Sequence, residues 1–212
     1  MNKQEEQLEA IRDIRSIMEK SARFLSLSGL AGVIIGLLAI ISIAVTYCYL
    51  GLNLFSKGYY QLALLGDGTP NLPVYTFLLS NFGLVLLLSI ISGIVMSFLK
   101  AKKLNLTIWD AAAKRLLINI AIPLFAGGLY ALILLYHQHI ALIAPVTLIF
   151  YGLALINASR YTINDIRYLG IIEVVVGLLA SIFIDYGLLF WAFGFGILHV
   201  VYGIVIYLKY EQ

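Results

Sequence analysis

Glu173 and His199 are the two ionisable residues set deepest in apolar sequence. A carboxyl and an imidazole side by side can exchange a proton, and histidine does so near physiological pH. The turn at Asp185 and Tyr186 folds their two segments into an antiparallel pair. Counted from that turn, both residues lie roughly 18–20 Å down a helix rising 1.5 Å per residue. Gly170, Glu173, Gly177 and Ala180 share one helical face, and Ala192, Gly196, His199 and Gly203 share another. Small residues let helices approach closely, and an acid in hydrocarbon faces a partner or water. The two groups are therefore expected to face each other as a proton-sensitive pair. The plainer alternative has Glu173 reaching Arg167, a tyrosine hydroxyl or water, and His199 donating to a backbone carbonyl.

Other reactive constellations are sparse. His137 and His139 share a turn and, with Asp185 from the neighbouring turn, make a weak metal candidate, since a zinc site needs three or four defined ligands. A polar turn is the expected reading. The lone Cys48 has no partner for a disulfide or a metal. No HExxH, GxSxG or phosphate-loop pattern occurs. No catalytic residue, enzyme activity or cofactor is expected.

The elements that must position the pair are read from where charge is missing. Residues 24–56, 68–99 and 116–159 contain no Lys, Arg, Asp or Glu. A hydrocarbon core about 30 Å thick takes about 20 apolar helical residues. The chain is 62% hydrophobic and 12% charged, with mean hydropathy +0.98, which excludes an ordinary soluble domain. Six spans follow, at 25–49, 76–99, 115–136, 140–158, 168–184 and 187–208. They pair into three tandem hairpins of an all-α, polytopic membrane bundle covering 24–212. Of the 14 basic residues, only Lys57 falls on the side opposite the others. The positive-inside rule then puts both termini in the cytoplasm, and a bacterial inner membrane is the expected location. Tyr47, Tyr49, Tyr136 and Trp191 flank one boundary and Trp109, Tyr161 and Tyr207 the other, as interfacial anchors do. The net charge of +3 sits at span ends, so no nucleic-acid face is expected.

An internal repeat organises the hairpins. Arg23-Phe24-Leu25, Arg115-Leu116-Leu117 and Arg167-Tyr168-Leu169 open outward-going helices. Ser92-Gly93-Ile94-Val95, Tyr151-Gly152-Leu153 and Tyr202-Gly203-Ile204-Val205 lie near the ends of returning ones. Thr107-Ile108-Trp109-Asp110 and Thr162-Ile163-Asn164-Asp165 read as helix starts capped by threonine, with aspartate at the positive end. The last hairpin, residues 167–208, resembles the hairpin unit of the HdeD-like acid-resistance membrane proteins. That resemblance implies about six spans and supplies no catalytic residue. The stretch 11–29 also resembles uncharacterised bacterial inner-membrane proteins.

Ser28, Gly32 and Gly36 form a small-residue stripe expected to pack within the bundle or across a dimer. Pro123 is expected to free a carbonyl in the third span, and Pro145 to bend the fourth. Lys100, Lys102, Lys103, Lys114 and Arg115 are expected to contact anionic headgroups. Residues 1–23 carry five acids and five bases and, from residue 3, read as an amphipathic cytoplasmic helix. It is expected to lie on the surface, extend the first span, or dock a protein partner or another copy. In residues 51–75, Tyr59 to Leu65 is expected to form a short interfacial helix. Together these features point to a small proton-sensitive permeation or transport unit of envelope or acid stress. The alternative is a non-transporting scaffold or regulator whose N-terminal helix binds a partner.

Overall fold

The computed structural model describes residue 24 and residues 26–211, apart from 54 and 106–108. The expected N-terminal helix lies outside the described residues, as do Leu25, Thr107 and Ile108.

The described residues form an all-helical bundle. Its longer helices are α1 (Gly29–Leu50), α2 (Leu72–Lys103), α3 (Ala111–Tyr136), α4 (Ile143–Ala158) and α5 (Ile166–Ile182). The last rod comes in three pieces: α6 (Gly187–Trp191), a π-helical segment (Ala192–Leu198) and α7 (His199–Tyr210). Among the described residues five helices are long and apolar enough to cross a membrane: Gly29–Leu50, Leu72–Lys103, Ala111–Tyr136, Ile140–Tyr161 and Ile184–Tyr210. The 17 residues of α5 sit at the short limit for spanning, about 17 residues.

Local chemistry sets the helix ends. α1 stops at Gly51, whose φ of 64° is the left-handed conformation that glycine adopts without strain. α3 is capped by Asp110 itself, whose side chain accepts from the Ala113 amide at 2.7 Å. The expected threonine cap fails at the second motif: Thr162 instead donates to the Phe24 carbonyl at 2.7 Å, and Asp165 pairs with Lys209 at 2.8 Å. Pro123 has no amide to give the carbonyl of Asn119, four residues before it. Asn157 on α4 donates to that oxygen at 2.9 Å, so the proline defect becomes a link between helices. Pro145 lies in the first turn of α4, where no intrahelical bond is lost and no bend is required.

Glycines decide which helices meet. A Cβ built on Gly36 would lie 2.6 Å from the Gly196 carbonyl oxygen, and one on Gly203 would lie 2.5 Å from the Val33 nitrogen. α1 and the last rod therefore cross backbone to backbone, Gly29 and Gly32 meeting Gly203 of α7 and Gly36 meeting Gly196 of the π-helical segment. The stripe on α1 is Gly29, Gly32 and Gly36; Ser28 stands at the cap position and donates to Glu211 at 3.3 Å. A second crossing joins α4 to α5, where Cβ atoms on Gly152 and Gly170 would lie 2.5 and 2.7 Å from each other's carbonyl oxygens. α2 lies on α1, held by Asn81, which donates to Ser42 and Thr46 at 2.8 and 2.9 Å. α3 lies on α4, with Gly127 receiving the Phe150 ring. The outward faces of α2 and α3 are almost wholly apolar and exposed, as lipid contact requires.

Each end is closed. At the loop end, the expected short helix is a 3-10 helix, Tyr59–Ala63, whose Tyr59 and Ala63 are buried against Ile43, Val74, Ile140 and Leu188. Burial pushes the Tyr59 phenol well above its usual range. Tyr60 donates to Asp185 at 2.9 Å, and that bond raises its pKa as well. At the basic end, Lys100 donates to the Leu27 carbonyl at 2.6 Å and pairs with Glu211 at 3.2 Å. Glu211 also accepts from the Gly29 amide, which satisfies an otherwise open donor at the start of α1.

Candidate functional site

Three helices contribute to the site. Tyr151 comes from the middle of α4, Glu173 from α5, and His199 from the junction of the π-helical segment with α7. His199 Nδ1 lies 2.9 Å from the Gly194 carbonyl oxygen, and Nε2 lies 2.7 Å from the Tyr151 hydroxyl. A carbonyl only accepts, so Nδ1 carries the proton, and in the neutral ring Nε2 accepts from Tyr151. The Phe195 ring stacks on the imidazole at 5.8 Å, and Trp191 follows Phe195 at 4.8 Å.

Glu173 Oε1 lies 3.5 Å from the same Nδ1. The side chain is 0% exposed, and neither carboxylate oxygen has a hydrogen-bond partner. Leaving a buried polar group unmatched costs about 1–3 kcal/mol, more for a charge, so such a group calls for an explanation. The walls are tight and apolar. A Cβ on Gly194 would come within 2.6 Å of Glu173 Oε2 and 2.5 Å of Leu148 Cδ2, so a larger residue there must push one of those two side chains aside. Leu148, Val176 and Ala180 complete a dry layer beside it. An apolar crevice of about 390 Å³ between α1 and the π-helical segment is lined by Ile43, Tyr47 and Ala192 among others, and none of the three site residues lines it.

The helix faces differ from those read off the sequence. Gly177 and Gly170 do not meet the last rod; Gly177 packs on α4, where its Cβ would lie 2.7 Å from Ile149. Gly196 and Gly203 serve α1, while the His199 side chain turns to Tyr151 and Glu173. α-Helical counting puts all three on one stripe. In the π-helical segment the bonds run from i to i+5, so positions on its two sides fall out of that register.

The remaining sequence candidates are scattered. His137 and His139 are exposed, with ring centroids 6.4 Å apart, and Asp185 is engaged by Tyr60. Among the described residues no group of three or more His, Cys, Asp or Glu is placed to hold a metal. Lys102, Lys103, Lys114 and Arg115 are exposed at the basic end. Lys100 departs from the expectation of headgroup contact: it is 9% exposed and committed to Leu27 and Glu211. Tyr151 had appeared only as part of a repeat motif. A polar tip on an otherwise apolar span was its sole signal.

No family model matches this chain, and no match is found among curated proteins or solved structures.

Proposed function

We propose that this chain is a six-span inner-membrane protein with cytoplasmic termini, whose working element is the Tyr151, His199 and Glu173 cluster acting as a proton-sensitive group. The resemblance to HdeD-like proteins belongs to the same proposal. The observation that carries it is the Glu173 carboxyl: wholly buried, 3.5 Å from an imidazole, and without a hydrogen bond on either oxygen. A carboxylate kept for packing or stability has its lone pairs satisfied. One left open beside a histidine is poised to take up or share a proton. With Glu173 wholly buried among the described residues and the Tyr59–Ala63 segment packed over the loop end, this conformation is the resting form of a small permeation or transport unit. The dry layer around Glu173 favours a second reading, a non-transporting membrane scaffold or regulator that responds to protons.

Trp191 reports on the cluster through Phe195. In a Trp109→Phe background reconstituted in liposomes, Trp191 emission is expected to change as pH falls from about 8 to about 5 and to stay constant in Glu173→Gln. A flat wild-type response refutes the proton-sensitive reading. Proton flux under an imposed pH gradient then separates the two roles. Flux lost in Glu173→Gln and His199→Ala supports permeation, and flux no greater than from empty liposomes supports the scaffold.

A further inference from the structure

We propose that the π-helical segment Ala192–Leu198 is a proton-operated hinge linking the Glu173 and His199 pair to the Tyr59 plug at the loop end; this rests on the proton-sensitive reading of that pair.

His199 Nδ1–H has two acceptors within reach, the Gly194 carbonyl at 2.9 Å and Glu173 Oε1 at 3.5 Å. In the neutral ring it serves Gly194, inside the π-helical segment. A proton arriving at Nε2 makes the ring a cation. Nε2–H then donates to the Tyr151 oxygen, whose own hydroxyl hydrogen must turn away. Nδ1–H swings to the carboxylate, because a bond between two ions is about twice as strong as a neutral one. The ionisable groups facing His199 are Tyr151 from α4 and Glu173 from α5. α1, packed on its other side through Gly32, carries no acid, base or histidine.

Without its side-chain donor, the Gly194 carbonyl no longer favours the wide register, and the segment relaxes to the ordinary α pattern. A shift of one residue turns what precedes it by about 100°. What precedes it is α6, only five residues long, with Gly187 beneath the plug. A Cβ on Gly187 would lie 3.2 Å from the Tyr59 ring, so any larger group rotated into that place displaces the ring. Asp185, just before α6, also holds the plug through Tyr60 at 2.9 Å and the Gly58 amide at 3.2 Å. The plug therefore moves with the rod.

The test uses the full chain in liposomes with Cys48→Ser and Trp109→Phe. Ala63→Cys, the last residue of the plug helix and 0% exposed on its inner face, is labelled with a charged maleimide. Its rate is divided by that of Gly66→Cys, an open loop position, which cancels the pH dependence of thiol reactivity. The ratio is expected to rise by at least about tenfold between about pH 8 and about pH 5, and to lose that rise in Glu173→Gln and His199→Gln. Tyr151→Phe, which keeps the ring, is expected to move the pH at which the rise occurs. A flat ratio with a responsive Trp191 overturns the hinge and leaves the proton-sensitive pair standing. Flat readings in both overturn both, and a rise that survives Glu173→Gln and His199→Gln also overturns the hinge.

Discussion

Gly203→Ala tests the backbone crossing between the first and last helices. The added Cβ would sit 2.5 Å from the Val33 nitrogen and 2.7 Å from the Gly29 carbonyl oxygen, whereas ordinary contact begins at 3.4 Å. Both neighbours are backbone, so no side chain can swing aside. α1 and α7 must separate by nearly 1 Å, which opens contacts along their whole shared face. Overpacking of this kind costs about 1–3 kcal/mol. Alanine also favours helix over glycine by about 1 kcal/mol, which partly masks the loss. Gly93→Ala removes that ambiguity, because it makes the same substitution within α2 at a site with nothing within 4 Å of the new atom. Thermal unfolding in one detergent, followed by circular dichroism, should therefore rank Gly93→Ala at or above wild type and Gly203→Ala clearly below it. The separation expected between the two is about 1–3 kcal/mol, the overpacking alone, because the propensity gain is common to both and cancels. Equal midpoints for the two variants would refute the crossing.

Lys100→Met leaves the Leu27 carbonyl without its side-chain donor and Glu211 without its ion-pair partner, and should lower stability by about 1–3 kcal/mol; adding Glu211→Gln should restore part of it, and a double-mutant cycle with no coupling would contradict the pairing. Asn157→Leu removes the donor that serves the carbonyl freed by Pro123 and should destabilise by about 1–3 kcal/mol; the double variant with Pro123→Ala, which restores the intrahelical amide, should recover most of that. Tyr60 ionises above its usual value of 10.0 because its hydroxyl donates to Asp185, so its contribution to the cap is complete below pH 10 and is lost as pH rises through the raised value. Asp67 shows the opposite sign: hydrogen bonds from Thr69 favour its carboxylate and lower its pKa, so its support for the loop is present above the usual value of 3.8 and fades as pH falls through the lowered one. Tyrosinate absorbance compared between wild type and Tyr60→Phe checks the first, and carboxyl resonances followed by NMR check the second.

The helices were legible because charge is so rigidly excluded from their apolar lengths. Matched depth alone also pointed to Glu173 and His199, since a one-residue change of helical register moves a side chain along the axis by only about 1.5 Å. Facing does not survive it. The π-helical segment carries no composition that separates it from an α-helix, so the expectation that the glycine-bearing face of α5 packs on that of the last rod was built on the wrong rotation. Partner choice was hidden for a different reason. α1 and α4 are apolar on every side; the small-residue stripe on α1 marks a packing face, but nothing in it tells which helix fills that face. The Lys100 and Glu211 link was hidden because it joins residues 111 apart in sequence, each of which reads as an ordinary interfacial charge.

The crossing of α1 with α7 has a consequence for the order of assembly. A ribosome delivers α1 to the bilayer long before residues 196–207 exist, so the groove at Gly29, Gly32 and Gly36 must wait, filled by acyl chains or a transient escort, through the making of every other helix. The α4 and α5 crossing joins neighbours in the chain and can form as soon as α5 emerges. Biogenesis is thus divided into an early half that can consolidate during synthesis and a late step that recruits the first helix. A nascent chain arrested before α7 should hold α1 loosely and present its glycine groove to any insertion factor that shields unmatched helices.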